Sequence, residues 1–161
     1  MLQNWQKLKR EFILIDMKIL LINGPNMQLL GKREPDIYGK LTLDDLESDL
    51  KEVAIALGVE LICYQSNHEG NIVDTIGNAA QDCIDAIIIN PAAYTHTSVA
   101  IHDALKAVAL PAVEVHISNI GAREEFRSES LTAPACIATI AGLGVDGYEW
   151  ALRSLVKLNK K

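Results

Sequence analysis

A chain of 161 residues with 49% hydrophobic and 22% charged residues has the length of one ordinary domain, roughly 100 to 200 residues. Its composition is neither that of a disordered chain nor that of a fibrous one. There are 15 Lys and Arg against 21 Asp and Glu, a formal net charge of -6, which argues against nucleic acid or an anionic membrane surface as the main partner. A small anionic ligand must then be met by locally placed arginines.

The chain opens with MLQNWQKLKREFILID, where the apolar run 12–15 is too short for a signal-peptide core of roughly 7 to 15 residues. Met17 starts a clean strand pattern. Residues 1–16 are therefore expected to be an extension, either mobile, a short docking helix or an artefact of start-site choice, and 17–161 a single folded domain. No apolar segment approaches the ~18 residues of a membrane span, so a cytoplasmic protein without membrane contact is expected. Cys63, Cys83 and Cys136 show no CxxC or metal-ligand pairing and read as buried small hydrophobes in a reducing compartment.

Five β-branched and aliphatic runs follow in chain order, at Lys18–Asn23, Val59–Tyr64, Ala86–Asn90, Ala112–Ile117 and Ala135–Ala141. Most are continuous rather than alternating, as expected of strands covered on both faces. Helical patterns lie between them. The clearest is Thr42–Leu57, where Leu43, Leu46, Leu50, Val53 and Leu57 recur at three and four spacing. Thr42 and Asp45 supply a capping box, and Gly58 the stop. Asn71–Gln81, Ser98–Ala109 and Gly147–Leu158 are the other predicted helices. Strand and helix in alternation imply a parallel sheet between two helical layers. With five strands the flavodoxin-like order 2-1-3-4-5 is the economical choice, and its ligand crevice opens at the C-terminal ends of strands 1 and 3.

The polar residues that need explaining fall at that edge. After strand 1 the connection Asn23–Leu41 runs about 18 residues, against roughly 2 to 6 for most βα loops. Gly24, Gly31 and Gly39 offer hinges within it. Arg33 precedes Tyr38 by five residues, and a neighbouring guanidinium would lower the phenol from its usual value of about 10 and make it a general base. A solvated loop with an ordinary surface tyrosine is the competing reading. After strand 3, Asn90, Thr95, His96, Thr97 and Ser98 provide donors and acceptors near a helix N-terminus; one of Thr97 and Ser98 is expected to cap that helix. In strand 4, period-2 alternation places Glu114, His116 and Ser118 on one side. Glu114 would fix the tautomer of His116 and raise its pKa, making it a general acid, although a purely structural pair has the same spacing. Arg123 and Arg127 in GAREEFR form either an anion clamp or a surface charge ladder. His68 and His102 read as surface or supporting residues. GxGxxG, P-loop, GxSxG and HExxH motifs are missing, and no metal is implied. A tyrosine base, a histidine acid and asparagines in one crevice are equipment for taking a proton next to a carbonyl and expelling a leaving group.

NGPNMQLLGKREPDIYG, QSNHEG, NPAAYTHTS and EVHISNIGAREEFR, in this order, strongly resemble the type II 3-dehydroquinate dehydratases, flavodoxin-like enzymes of the shikimate and quinate routes, over about Met17–Leu158. The resemblance implies that Tyr38 takes the C2 proton of 3-dehydroquinate while Arg33 keeps it reactive. It gives Asn26 a water that stabilises the enolate. His116, oriented by Glu114, would protonate the departing C1 hydroxyl. Substrate binding would fall to Asn90, His96, the backbone of Ile117 and Ser118, and Arg127, with Asp103 reaching in from a neighbouring subunit. It also implies a cofactor-free homododecamer built as four trimers. Met27-Gln28 stands where Leu-Asn is more usual, a departure expected to alter loop packing and to touch none of the named roles. The alternative is a flavodoxin-like binding or sensor module without catalysis. It is disfavoured by the lack of an aromatic-bracketed flavin loop, and by Asn23 and Asn26 standing where a signalling domain would carry acids.

Overall fold

The computed structural model describes residues 17–32 and 40–159. The extension 1–16 and the pair Arg33 and Tyr38 lie outside the described residues, as does Gly39.

Strands β1 (Lys18–Asn23), β2 (Glu60–Gln65), β3 (Ala86–Asn90), β4 (Ala112–His116) and β5 (Ala138–Ala141) form one parallel sheet in the order β2-β1-β3-β4-β5. This is the flavodoxin-like α/β arrangement expected from the sequence. Helix α1 (Leu43–Leu57) and α4 (Asp146–Asn159) cover one face, packing on Ile19, Leu21, Ile88, Val113 and Val115. Helix α2 (Glu69–Gly77) and α3 (Val99–Val108) cover the other, packing on Leu20, Ile22, Ile87 and Ile89. The two apolar sets alternate along β1 and β3 because successive side chains point to opposite faces. Burying both sets explains the unbroken aliphatic runs.

Local signals act as written. Thr42 and Asp45 form the reciprocal capping box of α1, and Gly58 ends it in the left-handed conformation. Ser98, not Thr97, caps α3, its hydroxyl accepting from the Ile101 amide at 2.9 Å. Two boundaries differ clearly from expectation. Helix α2 stops at Gly77, because the chain turns through Asn78 and Ala79 before Ile84 donates back to the Ala79 carbonyl. Strand β5 begins three residues late: Pro134 locks a short 3-10 turn over Ala133–Ala135 and withholds a ladder donor there. Strand β5 is also mostly exposed, so it is an edge strand rather than one covered on both faces. The cysteines are likewise less buried than expected. Cys63 and Cys136 are half-buried, and Cys83 is exposed.

The register carries the functional consequence. Asn23 of β1 is level with Gln65 of β2 and Asn90 of β3, so three amide side chains end three adjacent strands in one row. Beyond Asn23 the chain crosses close over β3. Gly24 donates to the Asn90 carbonyl at 2.8 Å, and a Cβ on Gly24 would collide with the Pro91 carbonyl oxygen. Gly31, at φ +78°, sits against the carbonyls of Lys40 and Leu41. Both glycines thus serve close backbone approach. Among the described residues no helix is long and apolar enough to cross a membrane.

Candidate active site

At the C-terminal edge of β1, β3 and β4 lies a cavity of about 260 Å³ whose walls include Asn26, Asn90, His96, His116, Ile117, Ser118 and Arg127. Seven of the residues singled out from sequence therefore meet in one place, at the point where the strand order reverses, as expected for an open parallel sheet. Leu29, Leu30 and Ile120 supply the apolar part of the wall. Arg123 lines it as well; the sequence offered it beside Arg127 and held no ground for choosing it.

On the α2/α3 side, Glu114 is wholly buried and receives His116 Nε2 on its Oε1 at 2.6 Å. Three hydroxyls join it. Ser130 donates to Oε1 at 2.9 Å, Thr132 to Oε2 at 2.5 Å, and Thr95 lies 3.1 Å from Oε1. Burial by itself would raise the Glu114 carboxyl. The hydrogen bonds from His116, Thr132 and Ser130, with the attraction of the imidazole, outweigh it and hold the carboxyl below its usual range. Glu114 is then an anion, and it fixes the His116 ring with Nε2 turned inward. Proton exchange with a ligand falls to Nδ1.

On the α1/α4 side the hydrogen-bonded chain itself is made of neutral groups, with the Glu47 carboxyl of α1 close enough to act on Asn23 and Tyr148. Asn90 Nδ2 donates to Tyr148 Oη at 2.7 Å, Tyr148 Oη donates to Asn23 Oδ1 at 2.9 Å, and Asn90 Oδ1 accepts from the Ala92 amide at 3.0 Å. The second Nδ2 hydrogen of Asn90 faces Met27 Sδ at 3.6 Å. Asn90 thus meets a ligand chiefly through the remaining lone pair of its Oδ1. Met27 does touch a named residue, contrary to expectation, because the crossing at Gly24 brings the short 3-10 turn Met27–Leu29 down onto β3. Gln28 is also engaged, accepting from Gln65 Nε2 at 3.1 Å.

Asn26 takes the left-handed conformation, φ 68°, which asparagine tolerates better than most residues. Its amide donates to Asn67 Oδ1 at 2.9 Å, and Gln65 Nε2 steadies that same oxygen at 3.1 Å. His96 Nδ1 meets the Glu129 carbonyl at 2.7 Å. A carbonyl only accepts, so the proton sits on Nδ1, and Nε2 is the nitrogen left for the cavity. Arg127 binds Glu124 at 3.0 Å and lies over the Phe126 ring at 4.9 Å, while Arg123 approaches the same carboxylate at 3.5 Å. The segment forms two short 3-10 turns, so it is not a helical charge ladder. Asp103 is exposed on α3 and is not among the residues lining this cavity.

Sequence reasoning passed over Tyr148, Asn67, Ser130 and Thr132. Tyr148 reads as helix core, and the serine and threonine read as loop; only Asn67 lay inside a quoted motif, QSNHEG.

The model of the family "Dehydroquinase class II" matches residues 17–156. A protein of Geotalea daltonii named 3-dehydroquinate dehydratase is 55% identical over 145 residues, covering 90% of this chain and all of that protein. Its namesake in Carboxydothermus hydrogenoformans is 55% identical over 90% of this chain and 94% of its own length. The crystal structure of the type II dehydroquinase of Butyrivibrio crossotus superposes with a TM-score of 0.85 at 49% identity, covering 86% of this chain and 97% of that one. A cavity at the strand reversal, a buried Glu–His pair beside it and matches in sequence and structure over 86 to 90% of the chain give one result: the chain belongs to the class II dehydroquinase family.

Proposed function

We propose that this protein is a 3-dehydroquinate dehydratase, a lyase that eliminates water from 3-dehydroquinate to give 3-dehydroshikimate. The observation that carries the reading is the buried Glu114–His116 pair at 2.6 Å on the wall of the cavity. An ionised carboxylate that orients an imidazole is the preparation a general acid needs.

The elimination needs a base on one side and an acid on the other. Tyr38, kept reactive by Arg33, removes the C2 proton, and the electrons pass into the neighbouring carbonyl as an enolate. Asn26 holds the water that stabilises it. The enolate then reforms the carbonyl and expels the C1 hydroxyl, which takes a proton from His116 and leaves as water. Support for the base comes from chain continuity: Leu29 and Leu30, just ahead of the segment that carries Arg33 and Tyr38, line the cavity. Asn90, His96, the Ile117 and Ser118 backbone, and Arg127 bind the substrate, the arginine meeting its carboxylate within a protein of net charge -6. Asp103, exposed and off its own chain's cavity, completes a neighbour's site in a homododecamer of four trimers. The enzyme works without cofactor in the cytoplasm, in biosynthesis of aromatic compounds or in quinate breakdown.

Purified protein mixed with 3-dehydroquinate should raise the absorbance of the conjugated enone product. No rise at high enzyme concentration would overturn the reading. Sedimentation velocity tests the assembly: a dodecamer is expected, and a monomer at working concentration would remove Asp103 from the site.

A further inference from the structure

Glu114 accepts hydrogen bonds from more partners than a His116 orienter requires, and two of the four, Ser130 and Thr132, come from one short strap of chain, residues 129–132. Its two ends and its middle are all pinned. The Glu129 carbonyl takes the His96 Nδ1 proton at 2.7 Å, and the Leu131 carbonyl takes that of His102 at 2.7 Å. The Leu131 amide donates to the Thr95 carbonyl at 2.7 Å. Between these anchors Ser130 and Thr132 turn their hydroxyls onto the carboxylate. The Ala133 amide donates to Ser130 Oγ at 2.9 Å, which orients the serine proton toward Glu114. Thr95 Oγ1 stands 2.9 Å from Thr132 Oγ1 and 3.1 Å from Glu114 Oε1, so its single proton closes the ring in either direction. Thr95, Thr132 and Glu114 are each fully buried, so water cannot stand in for a lost hydroxyl.

We propose that Thr132, seconded by Ser130, is a positioning residue for the elimination: it holds the Glu114 carboxylate as an anion in one orientation, so that His116 keeps its proton on the nitrogen that faces the substrate. The inference rests on the dehydratase reading above. Every hydroxyl around the carboxylate is placed to give a proton and none needs to receive one from it, an arrangement that suits the anion and penalises the neutral acid. The titratable groups facing Glu114 are His116 from its own strand and Cys136 from the segment before β5. The Cys136 thiol is pushed up to about 12, by burial first and then by the Glu114 charge, and is therefore silent in the working range. His96 is tied to the same strap, so one piece of chain locates both an acid support and a binding residue.

The test compares Thr132→Val, which keeps shape and deletes the donor, with Thr132→Ser, which keeps the donor. For Thr132→Val, kcat should fall about tenfold or more, the scale of one hydrogen bond to a buried charge, while KM stays within about threefold. Its acid limb should move to higher pH, because Glu114 with one donor fewer protonates more easily. Thr132→Ser should return both kcat and the limb toward wild type. Equal losses in Val and Ser with an unmoved limb would show a packing role and overturn the proposal, as would an unchanged Thr132→Val. Should Thr132→Val fail to fold, Ser130→Ala at its half-exposed position should give the same direction with a smaller effect, and wild-type behaviour there would overturn it. A wild-type protein inert toward 3-dehydroquinate would sink the dehydratase reading instead. The strap is then judged by NMR titration of the Glu114 carboxyl in wild type and variant: an upward shift in Thr132→Val supports the proposal, and coincident curves contradict it.

Discussion

Two polar networks reach the cavity from opposite faces of the same sheet, and they are built on different principles. On the α2/α3 face, Glu114 concentrates a full charge among donors: His116, Ser130, Thr132 and Thr95. On the α1/α4 face, Asn23, Tyr148 and Asn90 pass single hydrogen bonds through neutral groups. Apart from the half-exposed Ser130, the members of both are 0 to 4% exposed, so they cannot readily exchange a partner for water. The difference separates tasks. A charged network can hold a proton in readiness for transfer, whereas a neutral one fixes the shape of a binding wall without adding charge to it.

The contrast breaks most severely where an ionisable group is removed. Glu114→Gln would put an amide N–H2 among groups that all donate. It should cost about 3 kcal/mol or more of stability, as for other buried charged pairs, and lower kcat roughly 10²- to 10⁴-fold, as for loss of acid catalysis. Thermal melts and turnover check the two effects, and a stable, active variant would show that the charge is dispensable. Tyr38→Phe should cost turnover on the same scale of roughly 10²- to 10⁴-fold if tyrosine is the base; near-normal turnover would remove that role.

A smaller effect is expected on the neutral side. Tyr148→Phe leaves Asn90 Nδ2 with only its weak Met27 sulfur contact and takes from Asn23 Oδ1 its tyrosine donor, and should cost about 1 to 3 kcal/mol. KM should rise more than kcat falls, with a pH profile parallel to wild type. A displaced acid limb would mean that the two networks are coupled through the sheet.

The networks should also fail at opposite ends of the pH scale. The Glu114 carboxyl is held below its usual range, so its contribution is present above the unfolded value of about 4.3 and disappears as pH falls through the folded value. Burial pushes the Tyr148 phenol up, opposed by its bond with Asn90 and reinforced by the nearby Glu47 charge. Its contribution is therefore complete below the unfolded value of about 10 and is lost as pH rises further. Melting temperatures measured from acid to alkali should show the wild type and Glu114→Gln converging at low pH, and the wild type and Tyr148→Phe converging at high pH. Gaps that stay constant would contradict the assignment. The mildest change is Met27→Leu, which removes only the sulfur contact to Asn90 and should alter KM by less than about threefold, a weak sulfur acceptor contributing little. A large loss would make Met27 a recognition residue.

The sheet was legible because β1, β3 and β4 are aliphatic runs that a doubly covered parallel sheet buries, and α1 because its capping box and Gly58 mark both ends. Strand β5 was overdrawn because its aliphatic text continues through Cys136 and Ile137, while the turn at Pro134 decides where pairing starts. Within the site, Glu114 and His116 were legible because two ionisable residues at period 2 in a buried strand are costly to bury unless they pair with each other. The partners of that pair were not. Ser130 and Thr132 stand in loop text whose composition suits any surface turn, and nothing local says that a strap folds 16 and 18 residues back onto Glu114. Tyr148 was hidden for the opposite reason: an aromatic on the inner face of an amphipathic helix looks like ordinary core, and its hydroxyl gains meaning only when the register aligns Asn23 with Asn90.

His116 as the proton donor is the role on which the dehydratase chemistry turns. Its most direct test is the rate of 3-dehydroquinate conversion by the wild type and by His116→Ala, followed through the enone absorbance at fixed enzyme concentration. The expected result is steady product formation by the wild type and a loss of roughly 10²- to 10⁴-fold in the variant, with its fold intact by circular dichroism. An inactive wild type, or a His116→Ala protein that turns over at the wild-type rate, would contradict it.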